Sequence, residues 1–318
     1  MTSAYKYPPA EPFETGNMAV DSRHRVYFEI SGNPDGLPVV DVHGGPGAGS
    51  VPDYRRLYDP AVFKIVLFDQ RGCGKSEPAC ETRDNTTQHL IGDMEALRRH
   101  IGADRWIVAG WSWGTTLSLA YAQAHPNRVL ALVLRGTWTA RQEEADWFDS
   151  GLQYFFPDSI ENLDVDLEGL SGPDVLQELF RIMSDDSLPL EEREAAARAS
   201  QRYELNACYL EAREEVIEQA LQGPQLPGAM IGAHYWQNRW FLKTNQLWDN
   251  LHRIHHIPCT LIHGRYDVVA IPKTSWEMHK AWPGSELIIA PRSGHLCSEP
   301  RMTEAITATM DKLAERYA

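Results

Sequence analysis

The sequence is short of several features that would mark particular protein classes. Positive charge is scarce: 30 Lys and Arg stand against 44 Asp and Glu, a formal charge of −14. Such an excess disfavours nucleic acid and anionic membrane surfaces as partners, because both attract cations. Only five cysteines occur, Cys73, Cys80, Cys208, Cys259 and Cys297. Their odd number and the lack of any CxxC spacing argue for reduced thiols in a cytoplasmic setting, not a disulfide framework. No run of 18 apolar residues exists, so no membrane-spanning helix is expected. The opening stretch MTSAYKYPPAEPFETG lacks the apolar centre of a secretory leader. His252, His255 and His256 cluster without an acid or cysteine at ligand spacing, so no metal is expected. Gly72-Cys73-Gly74-Lys75-Ser76 lacks the leading glycine of a phosphate-binding loop, and no cofactor is expected either. There is no internal repeat and no low-complexity tract.

What is present is an ordinary globular composition, 43% hydrophobic and 23% charged over 318 residues. That suffices for a large core, or for a core with an inserted smaller domain. HRVYFEISG alternates apolar and polar residues, as a strand with one wet face does. PVVDVHGG and FKIVLFDQRG are β-branched runs that end in glycine, the pattern of buried parallel strands. TTQHLIGDMEALRRHIG reads as an amphipathic helix with Leu90, Met94 and Leu97 on one face and Gly102 as its stop. RWIVAGWS is a further buried strand, WGTTLSLAYAQAHP a helix that ends before Pro126, and RVLALVLRG a strand again. This alternation predicts an α/β fold with a mostly parallel sheet between helices.

From Trp138 to Trp248 the pattern changes to helical stretches with no buried strand, of which EEREAAARASQRYELNACYLEAREEVIEQAL is the clearest. This segment holds 21 acidic and 8 basic residues, nearly the whole of the negative excess. Strand and helix alternate again from CTLIHGRYD through ELIIAPRSGH to a C-terminal helix. The expected organisation is a core of residues 1–137 and 249–318 interrupted by a helical cap of 138–248.

Gly110-Trp111-Ser112-Trp113-Gly114 is a G-x-S-x-G between a strand and a helix. A bare G-x-S-x-G arises often by chance, but in this setting it describes a nucleophile elbow, a turn so tight that its flanks must be glycine. The turn presents the Ser112 hydroxyl and sets the Trp113 N–H at a helix start, where it can face an oxyanion. Serine needs a base, and the base an orienting acid. Asp267 follows one later strand in GRYD and His295 follows the next in RSGH, in the chain order Ser, Asp, His and at the strand ends where open α/β sheets carry their sites. His43-Gly44-Gly45-Pro46-Gly47 also follows a strand, and its glycines allow the backbone to approach a substrate and offer a second N–H.

Taken together, HGGPG, DQRGCGKSEP, GWSWGTTLSLAYAQAHP, LVLRG, GRYD and SGH resemble the prolyl aminopeptidases (proline iminopeptidases) over nearly the whole chain. The resemblance implies an α/β-hydrolase fold with a helical cap, and removal of an N-terminal proline from a small peptide or amide without metal or cofactor. It places the catalytic group on Ser112, Asp267 and His295 and the oxyanion donors on the N–H groups of Gly45 and Trp113, and Gly44, in the loop whose glycines let the backbone approach a substrate, is a candidate substrate-binding residue. It further implies Glu204, in Tyr203-Glu204, as the anchor for the substrate's amino group, and Arg135 as the residue that steadies Glu204. Trp138 and Trp236 are candidates for the wall of the proline pocket. Three positions depart from the family pattern. Gly232 replaces a second anchoring glutamate, Ala270 replaces a cysteine, and the bulky Trp111 precedes the serine where glycine is usual. Gly232 and Ala270 are expected to reshape the pocket. They leave open a second reading, an amidase or esterase of the same fold for a different small acyl group. A third, a non-catalytic binding protein, is opposed by the complete Ser–Asp–His set. The sequence leaves a homo-oligomer open.

Overall fold

In the computed structural model, which describes residues 6–158, 173–211 and 213–318, the runs read as strands, joined by one further strand, form an eight-stranded sheet. Its strands are β1 (Glu14–Ala19), β2 (Arg25–Gly32), β3 (Leu37–Val42), β4 (Phe63–Phe68), β5 (Trp106–Trp111), β6 (Val129–Arg135), β7 (Cys259–Gly264) and β8 (Glu286–Ala290), in the spatial order β1-β2-β4-β3-β5-β6-β7-β8. β2 runs antiparallel to both neighbours, and β4 to β8 and β3 run parallel to one another. The chain is an α/β hydrolase in fold.

Successive side chains of a strand point to opposite faces, and the buried residues divide accordingly. Val40, Val66, Val108 and Leu132 pack with α1 (Thr87–His100) and α2 (Trp113–Ala124). Val39, Ile65, Ile107 and Val133 lie on the other face, beneath the C-terminal helix. In α1 the expected stripe of Leu90, Met94 and Leu97 is buried, and Gly102 follows at φ 73°.

The helices between β6 and β7 are α3 (Gln142–Asp146), α4 (Pro173–Ser184), α5 (Leu190–Cys208), α6 (Glu214–Ala220), α7 (Leu226–Gln237) and α8 (Gln246–Asp249). Two more, α9 (Pro272–Ala281) and α10 (Pro300–Tyr317), belong to the last strand–helix units. Among the described residues of 138–248 there is no strand. Nor, among the described residues, is any helix long and apolar enough to cross a membrane.

Three local features go beyond the sequence reading. β1 lies outside every run read as a strand; ETGNMA has little β-propensity and is made a strand by pairing with β2 from Glu14↔Ile30 to Ala19↔Arg25. The polar face of β2 is wet only at its start: Arg25 is exposed and Tyr27 half-buried, but Glu29 and Ser31 are buried, and Glu29 accepts the Arg55 Nε–H at 2.7 Å. The helical stretch read across 191–221 is helical but not continuous: α5 stops at Cys208 and α6 starts at Glu214. At the break the backbone bonds to the core instead: the Cys208 carbonyl accepts the His295 N–H at 3.0 Å.

Candidate active site

Ser112 stands between β5 and α2 at φ 54° and ψ −124°, a conformation that persists only where the surroundings over-determine it. They do so here through close approach. A Cβ on Gly114 would lie 2.0 Å from the Val42 carbonyl oxygen, and one on Gly110 would lie 2.3 Å from that of Gly114. The hydroxyl is thereby carried beyond the sheet edge. Trp113 opens α2, so its N–H is among the first four that no helical carbonyl reaches.

The loop after β3 is held against this elbow by Gln70. Its backbone N–H donates to His43 Nε2 at 2.9 Å and its side-chain amide donates to the His43 carbonyl at 3.0 Å. The Trp113 indole N–H donates to Gln70 Oε1 at 2.8 Å. Because Nε2 accepts, Nδ1 carries the proton and donates to the Gly44 carbonyl at 2.9 Å. Burial holds the pKa of His43 down, which keeps the ring neutral. Asp69 ties down the same region by accepting the N–H groups of Ser50 and Lys75, both at 2.7 Å.

Asp267 and His295 meet across the ends of β7 and β8. His295 Nδ1 lies 2.8 Å from Asp267 Oδ2, while Oδ1 accepts the N–H groups of Val269 and Ala270 at 3.0 Å each. His263 Nε2 stands 3.2 Å from Oδ2. Burial pushes the Asp267 carboxyl up, yet the two imidazoles overcome this and hold it well below the usual carboxylate range. For His295 burial pulls down, but Asp267, with Glu204 and Glu299 behind it, leaves the imidazole above its ordinary value. Its Nε2 is buried and, among the described residues, has no hydrogen-bond partner, so it is available to a group arriving from the cavity.

That cavity, about 160 Å³, lies between the sheet ends and the helices of 138–248 and is lined by Ser112, His295, Gly45, Trp113 and Glu204 together with apolar side chains. Among the described residues that line it, Glu204 is the one carboxylate. Burial raises its pKa, and the nearby His295 partly offsets this. Aromatic rings close the far end: Trp138 and Trp236 stack with centroids 6.2 Å apart, Trp240 stands 5.0 Å from Trp236, and Phe148 stands 5.1 Å from it.

A family model described as the alpha/beta hydrolase fold matches residues 38–300. The proline iminopeptidase of Xanthomonas citri is 42% identical over 312 residues, 97% of this chain and 99% of its own. That of Arabidopsis thaliana is 41% identical over 311 residues, 96% of this chain and 81% of its own. The chain belongs to the proline iminopeptidase family. Among solved structures, an esterase from Exiguobacterium antarcticum superposes with a TM-score of 0.65 at 19% identity, covering 92% of this chain and 96% of that one, which speaks to the fold alone.

Within this family member, three expected positions fall elsewhere. Arg135 does not steady Glu204. Its guanidinium is buried and donates to both oxygens of Asp41 at 2.9 Å, because the alternation of β6 turns it away from the cavity. Gly44 is not among the lining residues; it backs the nucleophile, where a Cβ would come 3.1 Å from that of Ser112. Ala270 lends its N–H to Asp267, and its methyl joins the apolar core and not the cavity wall. Gly232 does line the cavity, and among the described residues a Cβ there would meet only the Pro46 carbonyl, at 3.4 Å. Trp111 does not obstruct the serine, for its indole N–H donates to the His295 carbonyl at 3.2 Å and its ring packs beside the imidazole.

Other contributors carried no sequence signal strong enough to single them out. Trp240 enters the wall from a turn in which Arg239, Trp240 and Phe241 have φ of 49°, 53° and 54°, a left-handed path no propensity predicts for these residues. Gly136 passes so close beneath the Asp–His pair, at φ 58°, that a Cβ would lie 3.2 Å from His295 Cε1.

Proposed function

We propose that this chain releases an N-terminal proline, or a similar small residue, from peptides or amides through an acyl-enzyme on Ser112. The observation that carries the proposal is the meeting, in one cavity, of Ser112, the carboxylate of Glu204 and the Nε2 of His295, which has no hydrogen-bond partner among the described residues. Ser112 Oγ attacks the carbonyl of the first residue while His295 Nε2 takes its proton, with Nδ1–H held by Asp267. The N–H groups of Gly45 and Trp113 receive the developing oxyanion. His295 then protonates the leaving amine, and water attacks the acyl-enzyme by the same route in reverse. Glu204 holds the substrate's ammonium, a charge-assisted contact that favours a free amino end. Trp138 and Trp236, joined by Trp240 and Phe148, enclose the ring.

We read residues 138–248 as a cap that roofs this cavity on a core of 1–137 and 249–318. Five free cysteines, four of them buried, support a reducing, cytoplasmic setting. The test is a pair of substrates: Pro-β-naphthylamide is cleaved, and acetyl-Pro-β-naphthylamide, which has no charge for Glu204, is not. Equal turnover of the two would remove the anchor from the mechanism.

A further inference from the structure

Glu299 precedes α10, and its two carboxylate oxygens serve two different parts of the molecule. Oε2 accepts the N–H of Gly294, the residue before His295, at 2.5 Å. Oε1 accepts the N–H of Leu210 at 2.9 Å. Leu210 lies just beyond the end of α5, and Glu204 sits one turn back from that end. Between these two bonds the His295 N–H donates to the Cys208 carbonyl at 3.0 Å. Two hydrogen bonds therefore join the segment that carries the base to the helix end that carries the amine anchor, and the carboxylate that makes one of them also holds the amide next to His295.

An ordinary helix-capping role does not account for this arrangement. A capping side chain accepts from the first N–H groups of its own helix, whereas the Glu299 side chain makes no such bond to α10. Nor, among the described residues, does it form an ion pair. Half-buried, it spends both oxygens on backbone amides of the His295 loop and of the α5 end. It is not one of the residues lining the cavity, so it does not meet substrate.

We propose that Glu299 is a positioning residue that keeps Glu204 and His295 in register, so that a substrate gripped by its amino end meets a correctly placed imidazole. The proposal rests on the reading of Glu204 as the anchor. Registration of this kind matters because a misplacement of about 1 Å between bound substrate and catalytic group can cost about a hundredfold in rate.

The test uses the full-length protein, two substrates and a mutant cycle. E299Q exchanges one accepting oxygen for an amide NH2, which cannot accept an N–H. For Pro-β-naphthylamide, kcat/KM is expected to fall about tenfold to a hundredfold, the range for loss of one charge-assisted hydrogen bond. Hydrolysis of p-nitrophenyl acetate, which has no amino end, is expected to fall much less. With E204Q already present, E299Q is expected to cost no more on the prolyl substrate than on the ester, because there is no anchor left to register. If E299Q does not fold, as judged by circular dichroism, the same comparison is made on E299D, whose shorter side chain keeps the charge but reaches one of the two amides. Equal losses on both substrates, or losses that simply multiply with those of E204Q, would overturn the proposal. A wild-type protein that turns over the ester and ignores Pro-β-naphthylamide would instead defeat the anchor reading before Glu299 is touched.

Discussion

Ser112 owes its place in the cavity wall to a backbone conformation that its neighbours impose, and His295 owes its raised basicity to Asp267. The second point carries a pH consequence. A base must be neutral to accept a proton, so activity falls as pH drops through the His295 pKa. Asp267 raises that pKa, and the acid limb of kcat/KM therefore lies above the ordinary imidazole value of about 6.5. Asp267→Asn removes the cause and should move the limb to lower pH, while kcat falls by about 10⁴-fold, as loss of the orienting carboxylate does in a serine triad. A pH–rate profile of wild type and variant checks both statements, and an unmoved limb would contradict the assignment of His295 as the base.

At the scale of single elements, β6 shows how a strand divides its duties. Leu134 enters one apolar layer, while Arg135 turns to the buried Asp41, which also accepts the Tyr58 hydroxyl. The Arg135 carbonyl accepts the Ser112 N–H at 3.0 Å. The side chain thus supports the sheet under the site and leaves Glu204 alone. Removing one partner of a buried ion pair strands the other charge, at a cost of about 3–5 kcal/mol. Arg135→Met should lose that much in a urea titration, with KM for a prolyl substrate unchanged in the protein that remains folded. A raised KM at full stability would return Arg135 to the binding site.

Across the whole molecule, the helices of 138–248 do not own a separate interior. Trp138, Ile231, Tyr235 and Trp240 share one apolar cluster with Trp113 and Leu117. Val269 and Leu296 join Leu179 and Ala196 in another. Hydrogen bonds cross the same boundary, from the Trp147 indole to the Val268 carbonyl at 2.7 Å and from the Tyr235 hydroxyl to Asn85 Oδ1 at 2.9 Å. Segments that share buried surface lose it together, so scanning calorimetry should record a single endotherm with equal calorimetric and van't Hoff enthalpies. Two resolved endotherms would mean that the inserted helices and the sheet keep independent cores.

The parts of this protein legible in its sequence are those governed by neighbours along the chain. Glycines at 110 and 114 announce the elbow because only they fit a turn that tight. β-branched runs announce the parallel strands, and the residues just after them, His43–Gly47, Ser112, Asp267 and His295, fall at the sheet's carboxyl end because strand direction puts them there. Tertiary structure alone decided the rest. Arg135 finds Asp41 across 94 positions, β1 becomes a strand only on β2, and the α5 helix stops where its carbonyl meets His295. Trp240 reaches the cavity through a turn that its own sequence disfavours. In each of these cases the deciding partner is distant in the chain, and a contact between distant residues exists only once the sheet has brought them together.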